Sequence, residues 1–131
     1  MKMRRVSPLY MEARVIFDEA CRLAGVDNSH INFIVKPVRS GGTGSSGTTK
    51  GVFGIVHEVI VRLGSDPVDR RHVIYHEVAH TMNVRAHHGD VFYKNFYNLA
   101  KKAGLDMEHW KRREAGYKPR NAGRLIRNVR A

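Results

Sequence analysis

Asp66-Pro67-Val68-Asp69-Arg70-Arg71-His72-Val73-Ile74-Tyr75-His76-Glu77-Val78-Ala79-His80-Thr81-Met82-Asn83 is the stretch from which the rest of the chain can be read. Asp66 and Pro67 supply a cap and a first helical turn, and Asp69 lies in that turn, where the helix dipole favours negative charge. A helix to about Asn83 is therefore expected. His76 and His80 are four residues apart, so both imidazoles leave one face of that helix and can share an ion. Neutral imidazole is a good zinc ligand at about 2.0 to 2.1 Å. Glu77 lies about 100° round the helix from His76, near the ion without having to bind it. A general base is needed at that place, because zinc held by three protein ligands acidifies a bound water whose proton must be taken up. Shuffling this composition produces His-Glu-x-x-His in roughly 2% of chains, so the setting of the motif matters as much as the motif. Val73, Ile74, Val78 and Met82 are placed to bury the sides of the helix that do not face the ion.

A catalytic site needs a third ligand. His88 is the better candidate: it directly precedes Gly89 and stands four residues before Phe92, which anchors the following helix in the core. His87 remains open as the alternative. His57 is expected half-buried or at the surface on its strand, and His72, His30 and His109 as ordinary surface histidines.

Outward from this helix the chain divides readily. Ser7-Pro8 caps a first helix in which Leu9, Ala13, Ile16, Ala20 and Leu23 recur at helical spacing up to Gly25. The run 31–35 is β-branched and halted by Pro37, as a strand would be. Residues 39–51, rich in glycine and serine, read as a flexible loop. Residues 52–63 read as one long strand or a tight pair bent at Gly54, with Ile55, His57, Val59, Val61 and Leu63 on one face. After the metal helix, Phe92, Phe96, Leu99, Ala100 and Ala103 mark another helix that stops at Gly104. A short helix from Asp106 to about Glu114, anchored by Met107 and Trp110, precedes a basic tail.

With 131 residues the chain fits one domain, expected over 1–110, with the tail at 111–131. Cys21 is the single cysteine, which excludes a disulfide framework and a cysteine zinc ribbon and points to a reducing compartment. Cys21 itself reads as a buried structural thiol. No apolar run approaches membrane-spanning length, and Glu12, Arg14, Asp18 and Glu19 interrupt the stretch a signal peptide would need, so a cytoplasmic or nucleoid-associated protein without membrane contact is expected. The net charge of +11 favours polyanions, and Lys111, Arg112, Arg113, Lys118, Arg120, Arg124, Arg127 and Arg130 face the single acid Glu114 in the tail. These basic residues are candidates for DNA or RNA contact. Gly42-Thr43-Gly44-Ser45-Ser46-Gly47 matches a dinucleotide fingerprint, but a strand rather than a helix is expected after it, so it is set aside.

His76-Glu77-Val78-Ala79-His80, the downstream His88-Gly89-Asp90-Val91-Phe92-Tyr93 and the order of elements together resemble the SprT-like zinc metallopeptidases and their WLM and YgjP-type relatives. By order of elements the resemblance covers about residues 8–104, with the specific motifs in 76–93. It implies an α+β, zincin-like minimal metallopeptidase: a small curved sheet packed against the N-terminal helix and the His-Glu-x-x-His helix, then one further helix and the basic tail. It also implies Zn2+ on His76, His80 and His88, Glu77 as catalytic base, and a protein or peptide substrate. Two departures stand out. Some relatives carry a cysteine zinc ribbon that this chain cannot form, and the spacing from His80 to the third ligand varies among relatives. The strand ending at Leu63 is expected to offer its edge to an extended substrate. The rival reading is a nucleic-acid-binding module with a structural or vestigial metal site; a third is a metal-dependent hydrolase of something other than peptides.

Overall fold

Ser7 is extended and its Oγ accepts the Tyr10 amide at 3.0 Å, satisfying one of the donors that a helix start leaves unpaired. Helix α1, Pro8–Ala24, follows and ends at Gly25, whose left-handed φ of 71° lets the Gly25 and Val26 amides return to the Arg22 and Cys21 carbonyls. The computed structural model describes residues 7–38, 42–82 and 89–115. Within them lie three strands, β1 (Asn32–Pro37), β2 (Ser46–Val52) and β3 (Ile55–Leu63), and three further helices, α2 (Pro67–Met82), α3 (Asp90–Ala103) and α4 (Met107–Ala115). The class is α+β, as expected. No helix among the described residues is long and apolar enough to cross a membrane.

The sheet runs β1-β3-β2, with β1 parallel and β2 antiparallel to β3. This order corrects two expectations. Residues 46–51, expected in a flexible loop, are strand, and β3 is central, so its edges are already paired and it cannot add a substrate. β2 escapes a reading by composition because its side chains bury little; main-chain bonds to β3 and a two-residue turn hold it. That turn is Phe53-Gly54, with φ of 54° and 76°, the left-handed pair that suits a tight hairpin. The long run 52–63 is therefore a hairpin limb after a turn rather than one strand.

The expected inward face of β3 holds for Val59, Val61 and Leu63 but fails at Ile55 and His57, which are exposed while Val56 is buried. Lys50 pairs with Glu58 and Gly51 with Val56, which leaves His57 as the extra residue of a β-bulge. One inserted residue inverts the alternation on its far side.

Asp66 Oδ1 accepts the Val68 amide at 3.0 Å and caps α2. The helix then runs through the middle of the molecule, with α1, α3, α4, β2 and β3 all against it. Residues from Val73 through Ala79 are all buried. A helix covered on every side shows little amphipathic pattern, and its polar residues must find partners inside. Phe17 of α1 stacks on Phe33 of β1 with centroids 4.2 Å apart, and Trp110 of α4 packs edge-on against Phe96 and Tyr97 of α3. The boundary expected between residues 110 and 111 falls inside α4. Lys111, Arg112 and Arg113 lie in α4, which matches the short helix expected from Asp106 to about Glu114, so α2 is followed by two helices where the expected fold class has one.

Candidate metal centre

His76 and His80 leave α2 on one face, with ring centroids 5.0 Å apart. Two imidazoles sharing a tetrahedral ion at about 2.05 Å would place their centres about 5 Å apart, which is the separation found here. Phe92, in the first turn of α3, stacks on His80 at 4.2 Å and lies 4.9 Å from His76, and Phe96 meets His76 edge-on at 5.3 Å. Apolar packing thus fixes both rings and brings the start of α3 beside them. His87 and His88 lie outside the described residues.

Glu77 leaves α2 toward β2. Its Oε1 accepts the Thr49 hydroxyl at 2.7 Å, and only 4% of the residue is exposed. A Cβ on Gly47 would lie 2.7 Å from Glu77 Cγ, so glycine is what allows β2 to pass this close to the carboxylate. Burial raises the Glu77 carboxyl above its ordinary range, while the neighbouring His76 and the Thr49 hydrogen bond pull it down without prevailing.

The two residues that sequence reasoning missed lie on the opposite side of His76. His72, expected at the surface, is buried, because α4 closes over it. Glu114, read as the lone acid of a basic tail, is fully buried; its Oε2 lies 2.5 Å from His72 Nε2 and 3.0 Å from His76 Nδ1. His72, His76 and Glu114 each offer a ligand atom within 4.8 Å of the others, so this group could itself hold a metal ion. Burial alone would raise the Glu114 carboxyl, but the hydrogen bonds from His72 and His76 outweigh it and hold the group at about 2. For His72 burial prevails and lowers the imidazole, favouring its neutral form against the pull of Glu114. Local signals did exist. His72 stands four residues before His76, and Glu114 stands four after Trp110, so if Trp110 anchors α4 then Glu114 faces inward with it.

Asp69 does more than favour the helix dipole. Buried at the start of α2, it accepts the Ser45 amide at 2.6 Å, the Arg113 guanidinium at 2.7 and 2.8 Å, and pairs with His109 at 2.9 Å. Arg113 also donates to the Ser45 carbonyl. Arg113 and His109, expected respectively at a nucleic-acid surface and at an ordinary surface, instead fasten α4 to α2 and to the approach to β2. Lys111 and Arg112 are exposed, and Lys118, Arg120, Arg124, Arg127 and Arg130 lie outside the described residues. His30 and His57 are exposed. Cys21 is buried in the core, and burial pushes its thiol up to about 12, which suits packing and not nucleophilic attack. The glycine-rich stretch at 42–47 leads into β2 and not into the helix N-terminus that a dinucleotide fingerprint requires. A cavity of about 650 Å³, lined in part by Val26, Ile55 and Met82, includes none of His76, Glu77 and His80. Compared with protein-family models, curated proteins and solved structures, the chain matches none.

Proposed function

We propose that the chain is a zinc-dependent metallopeptidase of the SprT-like type, with His76, His80 and His88 as metal ligands and Glu77 as general base. The observation that carries this reading is the spacing of the His76 and His80 rings at 5.0 Å with Glu77 buried beside them under β2. Support for His88 comes from its neighbours: it directly precedes Gly89, the cap of α3, and Phe92 of the same helix stacks on His80. Zinc, when bound, supplies an acidified water and a Lewis acid for the scissile carbonyl. The Glu77 carboxylate would take up a proton from an attacking water and pass it to the leaving amine. Its Thr49 hydrogen bond holds one carboxylate oxygen in place during both transfers. β2 is the edge strand nearest Glu77, and among the described residues it pairs only with β3. An extended peptide added along β2 would be gripped through its main chain, with little demand on sequence.

The chain's +11 charge and the exposed Lys111 and Arg112 favour substrates associated with nucleic acid, and they equally support the rival reading of a nucleic-acid-binding module whose metal site is structural or vestigial. Cleavage of a fluorescently labelled denatured protein, with and without single-stranded DNA, separates the two. Zinc-dependent cleavage that falls about 100- to 10,000-fold in Glu77→Gln is expected. DNA binding without cleavage by the wild type, or equal cleavage by Glu77→Gln, would defeat the peptidase.

A further inference from the structure

Glu114 is a buried acid that directly follows Lys111, Arg112 and Arg113 in α4, and its partners are two imidazoles rather than a cation of fixed charge. A carboxylate can only accept hydrogen bonds, and a neutral imidazole has a single N–H to give. With Oε2 against His72 Nε2 and His76 Nδ1, neutral rings facing the ionised carboxylate would carry their protons on those two atoms. The lone pair of His76 is thereby placed on Nε2, across the ring from Glu114. The lone pair of His72 falls on Nδ1, a buried atom that meets no hydrogen-bond partner among the described residues.

We infer that Glu114 is a positioning residue: it fixes the tautomer and orientation of His76 so that Nε2 serves as the metal ligand, and His72 steadies the same carboxylate oxygen. The inference rests on the zinc reading of His76 and His80. A carboxylate behind a ligating imidazole also makes the ring a stronger donor. Glu114 does not act as a ligand itself in this arrangement. Two atoms bound to one tetrahedral zinc sit about 3.3 Å apart, whereas the contacts of Oε2 with the two rings, at 2.5 and 3.0 Å, are hydrogen bonds. α4 is braced for this role by Trp110 in the aromatic core and by Arg113 on Asp69.

The test is zinc affinity of the full chain, by competition with a chromophoric chelator, for wild type, Glu114→Gln and His80→Ala, beside 15N NMR of the histidines in the zinc-free wild type. Expected are an Nδ1–H tautomer for His76, an Nε2–H tautomer for His72, and zinc binding weakened about 10- to 100-fold in a cooperatively folded Glu114→Gln. Unchanged affinity in that variant, or His76 protonated on Nε2, overturns the inference while leaving the zinc site standing. A loss as complete as that in His80→Ala overturns it in favour of direct ligation by His72, His76 and Glu114. Should Glu114→Gln fail to fold, the tautomers of the wild type decide. A wild type that takes up no zinc overturns the metal reading itself, and this inference with it.

Discussion

Gly47 is the residue against which the placement of Glu77 can be tested without touching Glu77. The methyl group of alanine would enter within 2.7 Å of Glu77 Cγ and 2.9 Å of its carboxyl carbon, so the carboxylate or β2 must shift. Displacing a general base by about 1 Å costs roughly 100-fold in rate. Gly47→Ala is therefore expected to lose about that much peptidase activity while keeping its zinc, and an unimpaired Gly47→Ala would show that Glu77 acts from another position. At this scale the sequence was uneven. That His76 and His80 leave one helix side by side could be read, because a helix converts a spacing of four into one face. The inward turn of Glu114 had a local signal in its spacing from Trp110, but its partnership with His76 did not, because that spans 38 residues and is set by how α4 docks. Arg113 looked like tail charge for the same reason.

The elements were legible wherever side chains announce them: the caps at Ser7 and Asp66, the left-handed glycines at Gly25 and Gly104, and the apolar spacing of α1 and α3. β2 was not, because backbone pairing leaves no hydrophobic signature, and the bulge at His57 broke a period that had seemed regular. The α1–α2 seam yields a pH prediction. The Tyr75 hydroxyl donates to Glu19, and this bond, opposed by burial and helped by Arg71, holds the Glu19 carboxyl below its ordinary value of 4.5. A carboxyl depressed on folding contributes stability that is present above its unfolded pKa and lost as the pH falls through its folded value. Tyr75→Phe removes the donor. Its melting temperature should fall below that of the wild type at pH 7, and the gap should narrow as the pH drops below about 4. A gap that stays constant from pH 7 to pH 3 would mean that the hydroxyl does not act through the Glu19 charge.

For the whole molecule, basic charge and α2 meet at α4. Lys111 and Arg112 face solvent there, while Arg113 and Glu114 of the same helix reach Asp69 and His76 of α2. This changes what a deletion can reveal. Removing residues 111–131 would take Arg113 from the buried Asp69, and breaking a buried ion pair from one side costs about 3 to 5 kcal/mol. Removing 116–131 spares α4. That shorter truncation is expected to reduce the salt dependence of single-stranded DNA binding, by about 0.7 in slope for each phosphate that the tail no longer neutralises, with cleavage of a free peptide unchanged. An unaltered slope would remove Lys118, Arg120, Arg124, Arg127 and Arg130 from any nucleic-acid role. The measurement closest to the central claim is metal content with X-ray absorption at the zinc edge, for the wild type and His80→Ala. One zinc per chain is predicted, ringed by nitrogen and oxygen at about 2.0 to 2.1 Å and lost in His80→Ala. A wild type without stoichiometric zinc, or a His80→Ala that keeps it, would contradict the account.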